Sequence, residues 1–106
     1  MSDKFFFVWD KKEYVKIEYA DILYVESLAS YSKIITNHKT VVVHIQLKQF
    51  EKLLPHDMFR RIYKSVIVNI VHIEKFDRLF VYVNNKKFSI GPAYREEWKK
   101  GLLMLR

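Results

Sequence analysis

Along most of the chain, apolar residues alternate with polar ones or gather in short runs bounded by turn formers, and that spacing predicts short β-strands. Phe5–Trp9 is apolar and aromatic and ends at the polar turn Asp10-Lys11-Lys12. Glu13–Glu18 alternates, with Tyr14, Lys16 and Glu18 on one face and Val15 and Ile17 on the other. Strands are further expected at Ile22–Glu26, at Tyr31–Thr36 and Thr40–His44, at Ser65–Ile73, at Leu79–Val83 and at Lys87–Ile90. Asn37-His38-Lys39 and Asn84-Asn85 supply two of the turns, and Asn37 tolerates a left-handed backbone.

Two segments break this rhythm with a helical one. In Gln46–Leu54 the residues Leu47, Phe50, Leu53 and Leu54 form an apolar stripe, and Pro55 stops it: a short amphipathic helix. After Gly91-Pro92, with Pro92 suited to a first helical position, Tyr94, Trp98, Leu102 and Leu105 recur at helical spacing. Glu96 and Lys100 form an i, i+4 pair on another face of that segment. Many short strands with two helical pieces predict a mainly antiparallel β domain. Which strands pair is left open by the pattern.

At 106 residues the chain is expected to be one domain, residues 1–106. Half of the residues are hydrophobic and 16% aromatic, enough to fill a core and to exclude a disordered chain. No cysteine is present, which excludes disulfides, thiolate metal sites and a cysteine nucleophile. Gly91 and Gly101 are the only glycines, so no glycine-rich phosphate loop or nucleophile elbow is written here. His38, His44, His56 and His72 lack metal-ligand spacing, and neither a metal nor a cofactor is expected. No apolar run is long enough for a membrane helix, and MSDKFFFVWDKK has no signal-peptide pattern, so the expectation is a soluble, cytoplasmic chain.

The net charge of +7 is unevenly placed. Residues 1–59 carry 8 Lys/Arg against 8 Asp/Glu, and residues 60–106 carry 11 against 4. A basic half on a small domain points toward a polyanionic partner, most often nucleic acid.

Three segments, taken in order and spacing, carry a family resemblance. They are Asp21-Ile22-Leu23-Tyr24-Val25-Glu26-Ser27 with Ser30-Tyr31, then Phe59-Arg60-Arg61-Ile62-Tyr63-Lys64-Ser65-Val66-Ile67-Val68-Asn69 with Ile73, then Phe88-Ser89-Ile90-Gly91-Pro92-Ala93-Tyr94-Arg95. Together they resemble the LytTR DNA-binding domain of bacterial response regulators, over about Phe6 to Tyr94. The resemblance implies stacked antiparallel β-sheets, with the short amphipathic helix and the C-terminal helical segment beside them. It also implies that loops rather than a recognition helix enter the major groove of double-stranded DNA. The expected partners are paired promoter repeats bound by a homodimer, and a receiver domain of two-component signalling that lies outside this chain.

The same resemblance assigns roles residue by residue. The first loop lies between Glu26 and Lys33; it includes Ser30, with Ser32 at a base-reading position and Lys33 at a backbone contact. The second spans Arg61 to Ser65; Lys64 is at a base-reading position, Arg61 and Ser65 at phosphate contacts, with Tyr63 between them. The third runs from Gly91 to Arg95, where Pro92 and Ala93 replace the family's arginine or serine and leave Arg95 as the nearest donor. Lysine donates to guanine O6 and N7, which makes Lys64 the first candidate for direct readout.

Other residues have plainer readings. Glu26 reads as a structural acceptor and Asn69 as a backbone-satisfying turn residue. Tyr94 and Trp98 read as a packing stripe, and Tyr24, Tyr31 and Tyr82 as packed strand residues. Phe5-Phe6-Phe7 is ordinary strand composition that also suits an exposed edge. No enzyme activity is expected, since neither Ser27 nor Ser65 has a placed His–acid pair. The alternative is a β-rich interaction module that binds peptides by strand addition, which needs an open, uncharged edge.

Overall fold

The computed structural model describes residues 4–106. Within them the strands are β1 (Phe5–Asp10), β2 (Glu13–Glu18), β3 (Ile22–Leu28), β4 (Tyr31–Thr36) and β5 (Thr40–Val43). Helix α1 (Leu47–Leu53) follows, then β6 (Phe59–Tyr63), β7 (Val66–Asn69), β8 (Ile73–Phe76), β9 (Phe80–Val83) and β10 (Lys86–Ser89). Single 3-10 turns occupy Tyr19–Asp21, Ile70–His72 and Pro92–Tyr94.

All strand pairs are antiparallel and fall into three sheets: β1-β2, β5-β4-β3-β7-β6, and β10-β9-β8. The five-stranded sheet is the middle layer, because its strands are apolar on both faces. One face (Ile22, Val25, Ile34, Val41, Ile67) packs with Val8 and Ile17 of the β1–β2 hairpin and with Leu47 and Phe50 of α1. The other (Tyr24, Ile62, Val66, Val68) packs with Val81, Val83 and Phe88 of the three-stranded sheet and with Trp98. A middle strand flanked on both sides needs a continuous apolar run rather than alternation, which is what Val66-Ile67-Val68 supplies.

Asn69 ends that run and divides the segment expected as one strand. Its side chain is fully buried. Its Nδ2 donates to the carbonyls of Tyr19 (3.0 Å) and Ile22 (2.9 Å), and its Oδ1 accepts from Val71 N at 3.1 Å. The last bond closes the turn at Ile70–His72, after which β8 joins a different sheet. The turn residue expected at Asn69 is therefore also what sends the chain from the middle layer to the outer one.

Turn chemistry differs from expectation at one hairpin. Positive φ occurs at Lys11, Lys12, Ala29, Asn84 and Asn85, the tight turns of β1–β2, β3–β4 and β9–β10, and not at Asn37. The β4–β5 turn is organised instead by the Thr36 hydroxyl, which donates to Lys39 O (2.9 Å) and accepts from the amides of His38 and Lys39.

Helix α1 buries Leu47 and Phe50, and ends where the residue before Pro55, Leu54, is forced into extended backbone. The C-terminal segment is a correction: it is a 3-10 turn followed by irregular turns rather than one amphipathic helix. Trp98 N still donates to Tyr94 O, so the Tyr94–Trp98 step of the stripe is kept. Gly101, with a φ of 82°, turns the chain away, and Leu105 projects into solvent. Tyr31 also differs from expectation: it is exposed, stacked on His44 at 4.5 Å. Phe5, Phe7 and Trp9 face outward from β1, in keeping with an exposed edge. None of the described helices is long and apolar enough to cross a membrane.

Candidate nucleic-acid interface

Strand alternation and register bring three turns to one end of the molecule. The β3–β4 turn is only Ala29-Ser30, because both strands run on to Leu28 and Tyr31, which pair across it. The β6–β7 turn is Lys64-Ser65. The two are joined at 2.9 Å by a bond from Ser27 N to Ser65 O. The third segment is joined to the second by Gly91 N donating to Ile62 O at 2.8 Å. The approach at that contact is close: a Cβ on residue 91 would lie 3.0 Å from the Tyr63 ring and 3.1 Å from that of Tyr94, so any larger residue needs those rings to give by a few tenths of an ångström.

Of the residues expected to meet DNA, Ser30, Tyr63 and Lys64 are exposed at this end. Lys64 has no hydrogen bond or ion pair from its amine among the described contacts, and its backbone is held while its side chain is free. Ser65 is half-buried and contributes its carbonyl to the Ser27 bond. Lys33 lies within β4, half-buried and directly across the ladder from Glu26. Glu26 in turn is 3.5 Å from the Lys86 amine, an acceptor role as expected. Partial burial works against the charge of Lys86, but the Glu26 carboxylate and Tyr24 outweigh it and raise its pKa above the ordinary lysine value.

Two of the expected residues are engaged inside the fold. Ser32 is fully buried, because alternation turns it inward between Tyr31 and Lys33, and its hydroxyl donates to Ile45 O at 2.7 Å. A base edge has no path to it in this conformation; it pins the segment leading into α1. Arg61 is not free either. Its Nε donates to Tyr63 O at 2.9 Å, one Nη to Lys64 O, and the other Nη to Glu51 Oε1 of α1 at 2.7 Å. Its side chain is 15% exposed. Arg60 is equally engaged, through the carbonyls of His56, Trp98 and Lys100 at 2.7–2.9 Å.

Arg95 is half-buried, and its Nε is buried without a hydrogen-bond partner. It lines a cleft with Phe76, Asp77, Arg78 and Trp98, on the side of the third segment toward the β8–β9 turn. That turn is fixed by Asp77, whose Oδ1 accepts from Leu79 N (2.9 Å) and Phe80 N (2.8 Å). Those amide bonds, with a smaller contribution from Lys87, hold the Asp77 carboxyl below its ordinary pKa.

Sequence reasoning missed Glu51, the carbonyl clamp of Arg60 and the close approach at Gly91. Glu51 stands ten residues from Arg61 across a helix end, a separation with no periodic signal. Among the described residues, no cluster of three or more His, Asp or Glu could hold a metal ion.

A family model described as the LytTr DNA-binding domain matches residues 12–102 of this chain. Two curated relatives, the sensory transduction proteins LytT of Bacillus cereus and of Bacillus anthracis, are each 30% identical over 92 residues. The match covers 81% of this chain and 37% of each relative, so the chain spans little more than a third of their length. Among solved structures, the LytTr DNA-binding domain of a protein described as a methyl-accepting/DNA response regulator from Bacillus cereus has the same fold. Its TM-score is 0.78 at 20% identity, over 93% of this chain and 96% of that one.

Proposed function

This chain belongs to the LytTr DNA-binding domain family, and from that premise we propose that it reads double-stranded DNA with the three joined turns, regulating transcription in bacteria. The observation that carries the reading is the convergence of the Ala29-Ser30, Lys64-Ser65 and Gly91–Arg95 segments, with the Lys64 amine unpaired at their centre. Short rigid turns suit a major groove, where base pairs present distinct donor and acceptor patterns. Lys64 donates to guanine O6 or N7; Ser30 and Tyr63 flank it; Lys33, Ser65 and Arg95 face the phosphates on either side. Two copies sit on paired repeats, and a receiver domain outside these residues supplies the signal.

The test is selection from a randomised duplex library at two salt concentrations. Enrichment of a motif repeated at whole helical turns is the expected result. Salt-sensitive binding without enrichment restricts the domain to backbone contact.

One feature favours a second reading. β5 ends its sheet with the uncharged run Thr40-Val41-Val42-Val43, an edge suited to strand addition by a peptide. Absence of duplex binding at low salt would move the assignment there.

A further inference from the structure

We propose that Arg61 is a positioning residue for the Lys64 turn, held in place by Glu51 of α1, and that this pair sets base preference without touching DNA. The inference rests on the DNA-reading function proposed above. Its ground is geometric. The guanidinium presents its donors in a rigid planar fork. Here two sides of that fork are spent on the carbonyls of Tyr63 and Lys64, the residues that enter the turn. The remaining Nη meets Glu51 Oε1 at 2.7 Å.

Carbonyl oxygens at a tight turn otherwise point to water and leave several backbone conformations open. A charged donor bound to two successive carbonyls selects one of them, since hydrogen bonds to charged groups are the stronger kind. The register of β6 shifts between Arg61 and Tyr63, at the place where these bonds form, and such a bulge bends a strand and re-aims the residues beside it. Ser65 O then meets Ser27 N, so the same restraint reaches the β3–β4 hairpin. Glu51 is the anchor, because without it the guanidinium has no fixed point outside the turn. A phosphate on Arg61 would have to displace either the carboxylate or a carbonyl that shapes the reading surface.

The experiment compares wild type with Glu51→Gln, Arg61→Ala, the double variant and Lys64→Ala. Three quantities are read: preference for the selected duplex over one changed at the Lys64 base, the salt slope on random duplex, and the hydrogen-exchange rate of the Ser27 amide. Positioning predicts a loss of preference of tenfold or more for Arg61→Ala and severalfold for Glu51→Gln. The double variant should be no worse than Arg61→Ala, since both act through one restraint. Salt slopes should stay at the wild-type value, and Ser27 exchange should rise in both variants but not in Lys64→Ala. Thermal melts establish that each variant is folded.

A salt slope lowered by about one in Arg61→Ala, with Glu51→Gln fully selective, would make Arg61 a phosphate contact and overturn the proposal. Unchanged Ser27 exchange in both variants would overturn it as well. Failure of the DNA reading looks different: wild type then selects no sequence, whatever the exchange rates.

Discussion

At the scale of single residues, the surface turns and the buried joints depend on different chemistry. Lys64, proposed above to read a base, has its backbone carbonyl held by Arg61 and its amine unpaired among the described contacts. Lys64→Ala should relax base preference at one site position and cost about 1–3 kcal/mol on the selected sequence if its contact with guanine is bidentate, measured by competition between duplexes. An equal loss on every duplex would remove the base-reading role. Asn69 is the opposite kind of residue, buried and satisfied by three hydrogen bonds. Asn69→Ala leaves the Ile22 carbonyl and the Val71 amide without that partner, each costing about 1–3 kcal/mol, while Tyr19 O keeps the Ile22 amide, so chemical denaturation should show a loss of about 2–6 kcal/mol with no change in DNA preference per folded molecule. Its identity was readable from the sequence only as a turn former. That it joins two sheets was not, because Tyr19 and Ile22 lie some fifty residues away.

At the scale of elements, the strands were legible wherever alternation or an apolar run met a turn former, as in β2, which matches its expected bounds. The C-terminal segment was misread because helical spacing of large apolar residues satisfies more than one backbone. Trp98 needs only to reach Phe76, 4.8 Å away edge to face, and a pair of turns places it there. Arg60 then fixes the segment by taking the carbonyls of Trp98 and Lys100, which a continued helix would have used internally. This divides the segment at Leu102. Trp98→Ala should cost about 3–5 kcal/mol as a large buried side chain is removed. Deleting residues 103–106 should shift stability by no more than about 0.5 kcal/mol, because Leu103 and Leu105 are 86% and 84% exposed. Thermal or denaturant unfolding of both variants checks the pair, and a tail deletion as costly as Trp98→Ala would mean that the tail packs in solution.

For the whole molecule, the two halves of the sequence share the middle sheet, with the β1–β2 hairpin and α1 of the neutral half on one face and the three-stranded sheet of the basic half on the other. Residues 1–59 sum to zero and build the β1–β2 layer, α1 and three of the five strands of the middle sheet. All of the +7 lies in residues 60–106, which the sequence alone invites one to spend on phosphates. Much of it already has partners within the chain. Arg60 and Arg61 bind carbonyls, Lys86 meets Glu26, and the Lys75 and Lys87 amines lie over the Tyr82 and Phe80 rings at 4.8 and 4.0 Å. If every net charge neutralised a phosphate, log K would fall against log salt with a slope of about −6. If, as proposed, Lys33, Lys64 and Arg95 are the cations that meet DNA, one copy should give a slope of about −2 to −4 on a single half-site. Shape limits the pairing of copies too. The molecule measures 48 × 31 × 25 Å, so repeats one helical turn apart, about 34–36 Å, accept a second copy only with a shorter axis along the duplex. A titration of single and paired half-sites across salt concentrations reads both quantities. A single-site slope near −6 would mean that the internal partners of the arginines and lysines give way to DNA on binding, and the joined turns would then be only part of the contact surface.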